Sequence, residues 1–117
     1  MNKQQKGKQG EDLAAALLER KGYSILERNY RFDRGEIDLV ANEGGELVFI
    51  EVKARHGSRF GSPEEAITPA KEEQLKKVAE GYLAKRGLTS QACRFDIVSI
   101  TFEGGTPHMT ILRNAFV

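Results

Sequence analysis

The sequence predicts an α/β protein: a mixed β-sheet flanked by helices, in the order helix, three strands, helix, two strands. Three observations predict it. The runs Gly35–Val40 and Phe49–Arg55 alternate polar and apolar residues, as half-buried strands do, on either side of a Gly44-Gly45 step that suits a tight hairpin turn. Two segments carry apolar residues at helical spacing. The second of these stands between the strand 49–55 and a strong strand at 94–102, so the two strands can run parallel, joined by a right-handed crossover.

Taken in order, residues from about Gly7 to Lys21 place Leu13, Ala14, Leu17 and Leu18 on one helical face, with Gly22 as a C-terminal stop. Ser24 to Tyr30 reads as a strand with Tyr23, Ile25 and Leu26 buried, and the hairpin supplies the next two strands. His56 to Glu65, with its glycines, serines and Pro63, reads as a loop. Thr68-Pro69 begins the second helix as N-cap and first helical residue. That helix buries Leu75, Val78, Ala79, Tyr82 and Leu83 and ends near Gly87. Arg94–Phe102 is a strand, and His108–Leu112 is a shorter one after Gly104-Gly105.

Composition narrows the function classes. A chain of 117 residues is one domain's worth, and 39% hydrophobic with 30% charged residues is ordinary for a soluble globular protein. A net charge of +1 excludes a global basic bias, so a nucleic-acid partner needs a local patch. Cys93 is the sole cysteine, which excludes an intramolecular disulfide and a cysteine-rich zinc site. No run approaches the ~20 apolar residues of a membrane-spanning helix, and the polar, basic start lacks the apolar core of a signal peptide. A cytoplasmic location is expected. Lys3, Lys6 and Lys8 read as a mobile tail able to add phosphate contacts.

The hairpin carries the chemistry. A two-residue turn at Gly44-Gly45 sets Asp38 opposite Glu51 and Glu36 opposite Lys53, with directly opposed Cβ atoms roughly 4.5–5.5 Å apart. Ile37, Leu39, Ile50 and Val52 then share one face, and Glu36, Asp38, Val40, Phe49, Glu51 and Lys53 share the other. Solvated surface with an incidental Glu36–Lys53 ion pair is one reading of that second face. The other is a metal site, since two opposed carboxylates want a cation, and Val40 and Phe49 require cover on the same side. Hard divalent cations such as Mg2+ suit a two-acid site.

These residues resemble something known. Asp38 followed by Glu51-Val52-Lys53 on the adjoining strand is similar to the signature of the PD-(D/E)XK nuclease superfamily, which includes restriction endonucleases and archaeal Holliday-junction resolvases. A closer resemblance covers nearly the whole chain. Gly10-Glu11, Asn29, Gly35-Glu36-Ile37-Asp38, Phe49 to Arg55, Lys71, Arg94-Phe95-Asp96 and Asn114-Ala115-Phe116 together resemble the small bacterial YraN-like family, which is related to the resolvases. One departure is that Ile37, not proline, precedes Asp38.

The resemblance implies a single restriction-endonuclease-like domain over residues 1–117 that hydrolyses phosphodiester bonds in DNA, including branched or structured DNA. It implies Mg2+ or Mn2+ held by Asp38, Glu51, the backbone carbonyl of Val52 and the helix-borne Glu11, with Lys53 orienting or activating the attacking water. Glu36 has no defined role and is available to pair with Lys53. Arg55 and Lys71 would contact phosphate or orient the acids, and Gln74 is a looser match. Arg31, Arg34, Arg55, Arg59, Lys71 and Arg94 form the expected phosphate-tracking set. Structural alternatives stand beside these roles: Glu11 is favoured by the helix dipole in any case, Lys71 is an ordinary surface lysine, and Arg94–Asp96 is a structural ion pair. At the level of function the alternatives are a nucleic-acid-binding module with little activity alone and an interaction domain without a metal. Nucleic acid is the expected partner, no membrane is expected, and a homodimer or a further protein partner fits by analogy with resolvases.

Overall fold

The computed structural model describes residues 2–56 and 67–116. The elements are α1 (Lys3–Arg20), β1 (Ser24–Phe32), β2 (Gly35–Glu43), β3 (Glu46–His56), α2 (Pro69–Arg86), β4 (Cys93–Glu103) and β5 (Thr106–Phe116). The strands form one mixed sheet in the order β1-β2-β3-β4-β5. Only β3 and β4 pair in parallel, because α2 connects them; the other neighbours are antiparallel. Fold class and element order are those the sequence predicts. The expected loop after His56 and Arg59 lie outside the described residues.

Local chemistry moves several boundaries. α1 begins at Lys3 rather than Gly7, because the Asn2 side chain accepts the Gln5 N–H while the Gln5 side chain accepts the Asn2 N–H. Lys6 and Lys8 therefore stand on a helix and not on a tail. α2 starts as expected, with the Thr68 hydroxyl accepting the Lys71 N–H and Pro69 at the first position, and Gly87 closes it at φ 65°. β1 and β5 run longer than expected, to Phe32 and Phe116. Leu26 is 50% exposed and not buried, because the β1–β2 register shifts between Ile25 and Glu27 and leaves it as the extra residue.

Alternation along the strands divides the core in two. On one face, Leu39, Val48, Ile50 and Val98 meet Ala14 and Leu18 of α1. On the other, Val40, Leu47 and Phe49 meet Leu75, Val78 and Tyr82 of α2, where the Tyr82 ring stands edge-on to Tyr30 and Phe49 at 5.0 and 5.6 Å between centroids. α2 is pressed close at Gly81, where an added Cβ would lie 2.6 Å from the Phe32 ring. Among the described residues, no helix is long and apolar enough to cross a membrane.

Candidate metal centre

Gly44 and Gly45 turn at φ 61° and 84°, which only glycine adopts at low cost, and Glu43 pairs with Glu46. The predicted hairpin register holds from there to Leu39–Ile50. One step further it changes. The Asp38 carboxylate leaves the plane of the strand and its Oδ2 accepts the Val52 N–H at 2.8 Å, in place of a backbone rung. On the other side of β2, Asn29 lies opposite Asp38, between the Arg28–Leu39 and Tyr30–Ile37 pairs, in the left-handed conformation at φ 54°.

That break re-aims the residues beyond it. Ile37 packs in the α2 layer with Val40, and not with Leu39 as simple alternation requires. Glu36 correspondingly turns away from its expected partner Lys53. It sits opposite Arg31 on β1 and accepts from the Arg31 Nε at 2.9 Å. The new direction brings Glu36 to α1. Carboxylate oxygens of Glu11, Glu36 and Asp38 all lie within 4.8 Å of one another, each side chain partly buried. Glu11 therefore lies beside Asp38, and Glu36, whose role the sequence left undefined, is the third carboxylate of the group. Asn is the commonest non-glycine residue at positive φ, so Asn29 opposite Asp38 was the available signal for this irregularity.

Glu51 approaches from β3. It is 7% exposed, close enough to Asp38 to share a proton, and its Oε2 lies 3.3 Å from the Lys71 Nζ of α2. Burial and the hydrogen-bonded, negatively charged Glu51 push the Asp38 carboxyl up to about 8; the Val52 N–H works against them, and Glu11 adds a further upward push. Asp38 therefore carries a proton at neutral pH, and a divalent cation is the natural replacement for it. The donor set fits such an ion: carboxylate oxygens without cysteine or histidine select Mg2+ or Mn2+.

A cleft of about 360 Å3 opens on these groups, lined by Lys6, Glu11, Asp38, Val52 and Lys53 among others. Among the described residues Lys53 makes no ion pair, so its ammonium is available beside the acids. Lys71 is fixed on Glu51. Arg34 and Gln74 line a different cleft, between the β1–β2 turn and α2. Arg55 follows on β3, partly buried. Arg94 is removed from the phosphate-tracking set. It is 10% exposed and bonded to Asp96 at 3.0 Å, Glu43 at 2.8 Å and Glu46 at 2.9 Å, the structural role the sequence had offered as its alternative.

The sequence matches the family described as "Uncharacterised protein family UPF0102" over residues 10–100. A UPF0102 protein of Symbiobacterium thermophilum is 47% identical over 111 residues, 94% of each chain. One from Geobacter metallireducens is 46% identical, covering 94% of this chain and 90% of its own. Among solved structures, SfsA of Pyrococcus furiosus in complex with Ca2+ aligns over 96% of this chain and 62% of its own, at 13% identity. Its TM-score of 0.35 is too low to carry any argument. Similarity that runs nearly end to end at close to half identity, together with the family match across the hairpin and both helices, makes this chain a member of the UPF0102 (YraN-like) family.

Proposed function

We propose that this protein is a divalent-metal-dependent nuclease that hydrolyses phosphodiester bonds in DNA. The observation that carries the reading is the convergence of Glu11 from α1 with Glu36 and Asp38 from β2, with Glu51 of β3 against Asp38 and with Lys53, which makes no ion pair among the described residues, in the same cleft. Uncompensated, such a cluster works against folding. Asp38 and Glu51 would hold Mg2+ or Mn2+ with Glu11 and Glu36, and the Val52 carbonyl stays a candidate further donor. When bound, such an ion lowers the pKa of water and offsets charge on phosphoryl oxygens. Asp38 gives up its proton to make the site. Glu51, pinned by Lys71, fixes the position of Asp38, and the Val52 N–H holds the carboxylate in line. The Lys53 Nζ donates to the attacking water or to a non-bridging oxygen, where it stabilises developing charge.

The test combines calorimetric Mn2+ titration with cleavage of single-stranded, duplex and branched DNA by wild type and Asp38→Asn. Expected are Mn2+ binding and cleavage in wild type alone, with DNA affinity that falls as salt rises. Equal cleavage by both proteins, or Mn2+ binding indifferent to Asp38, removes the proposal. A second reading, a binding module with little activity alone, draws on the ion pairing of Arg31, Lys71 and Arg94, which leaves less free positive charge than the sequence suggests. Metal-dependent DNA retention without cleavage would select it.

A further inference from the structure

Two clefts flank Glu11, and the same helical turn separates them. The first, of about 360 Å3, holds Asp38, Lys53 and Lys6. The second, of about 490 Å3, is lined by Lys8, Arg28, Asn29, Arg31 and Gln4. Both fall within the roughly 300–1,000 Å3 of small-ligand sites. Gly7 and Glu11 belong to both clefts. The two glycines of this helix contrast sharply. At Gly10 an added Cβ would meet the Ala54 Cβ at 3.1 Å, so packing of α1 on β3 explains its small size. At Gly7 nothing lies within 4 Å, and its φ is not in the left-handed region. Glycine inside a helix is unfavourable relative to alanine, and no contact among the described residues accounts for this one. What Gly7 offers is a bare stretch of backbone on the ridge between the two clefts.

We infer that Gly7 is the saddle over which a nucleic-acid strand passes, with successive phosphates in the Lys6–Lys53 cleft and in the Lys8–Arg28–Arg31 cleft. The substrate class follows from the lining. Positive side chains and amides recognise a phosphodiester backbone, and among the described residues neither cleft has an aromatic ring on which a base could stack. The preferred ligand is thus an extended strand longer than a mononucleotide, bound without base readout. The basic side chains of the second cleft are held by acids outside its contact line: Lys8 and Arg28 on Asp12, and Arg31 through its Nε on Glu36. Those contacts fix the cations in place and link the strand path to Glu36 at the metal centre. The inference rests on the proposed nuclease reading for what happens to the strand, but strand binding itself is measurable without metal.

The experiment is fluorescence anisotropy of a labelled oligothymidylate at low salt without metal, paired with Mn2+ titration, on wild type, Gly7→Ala and Gly7→Gln. Alanine favours the helix, so Gly7→Ala should melt no lower than wild type. It should nevertheless bind the oligonucleotide about tenfold more weakly, with Gly7→Gln weaker still and Mn2+ affinity unchanged in both. Oligonucleotide affinity equal to or tighter than wild type in Gly7→Ala and Gly7→Gln overturns the saddle. Wild type that binds Mn2+ but not the oligonucleotide also overturns it while leaving the metal centre standing. Wild type that binds the oligonucleotide in a Gly7-dependent way but not Mn2+ supports the saddle and overturns the metal centre.

Discussion

Two aspartates of the inner strands occupy near-equivalent places and have opposite fates. Asp38 on β2 and Asp96 on β4 each sit where the adjoining edge strand carries an asparagine at positive φ, Asn29 at 54° and Asn114 at 52°. Each replaces a rung of the ladder with its carboxylate, Asp38 accepting the Val52 N–H at 2.8 Å and Asp96 the Asn114 N–H at 2.9 Å. From there they diverge. Asp96, 1% exposed, also accepts from the Tyr23 hydroxyl at 2.7 Å and the Arg94 Nε at 3.0 Å, so its charge is neutralised within the fold. Asp38 meets Glu51, Glu11 and Glu36, and no cation of the described chain is bonded to it. An aspartate facing such an asparagine makes a structural anchor where an arginine closes it and a cluster of facing carboxyl groups where acids do. Fold geometry alone therefore does not mark function here; the company each carboxylate keeps does.

The contrast can be broken most forcefully at Arg94. Arg94→Met strips the cation from Asp96, Glu43 and Glu46 and should cost about 3–5 kcal/mol in denaturant unfolding, the penalty of an orphaned buried charge. Asp38→Asn should do the reverse. Mn2+ affinity should fall at least about 100-fold by calorimetry, while the metal-free melting temperature at neutral pH holds or rises, because a neutral amide replaces a carboxyl that burial and Glu51 penalise.

A pH series sharpens the same point. With Asp38 pushed up to about 8 from an ordinary 3.8, the native state binds a proton that the unfolded state has lost between those values. Metal-free stability should therefore be greatest at the acidic end of that window and decline as pH rises toward about 8, the opposite of a salt-bridged aspartate. Mn2+ must displace that proton, so its apparent affinity should rise about tenfold per pH unit and level off above about 8. Thermal unfolding with and without Mn2+ across pH measures both, and Asp38→Asn should flatten them. The smallest effect is expected at Lys71. Lys71→Met removes a partly exposed partner of Glu51 and should cost at most about 1 kcal/mol in denaturant unfolding.

Sequence alone determined the element order and the hairpin at the centre of the fold. The Gly44-Gly45 turn imposed the hairpin register, because two positive φ values leave few ways to reverse a chain. Thr68, Pro69 and Gly87 bounded α2, and its place between β3 and β4 required the parallel pair. Asp38 and Glu51 were legible as neighbours for the same reason: both lie within one local hairpin. What the tertiary structure alone decided lies further apart in the chain. The alternation of β2 breaks at Asp38, opposite Asn29, so that Ile37 goes to the α2 layer and Glu36 toward Arg31 and Glu11 on other segments. Burial turned Arg94 from a candidate phosphate ligand into the counter-ion of Asp96, because its three acidic partners arrive from two other strands as well as its own. Local periodicity determines which face a side chain starts on. Contacts between distant segments determine where its charge is spent, and only the assembled sheet and helices bring those segments together.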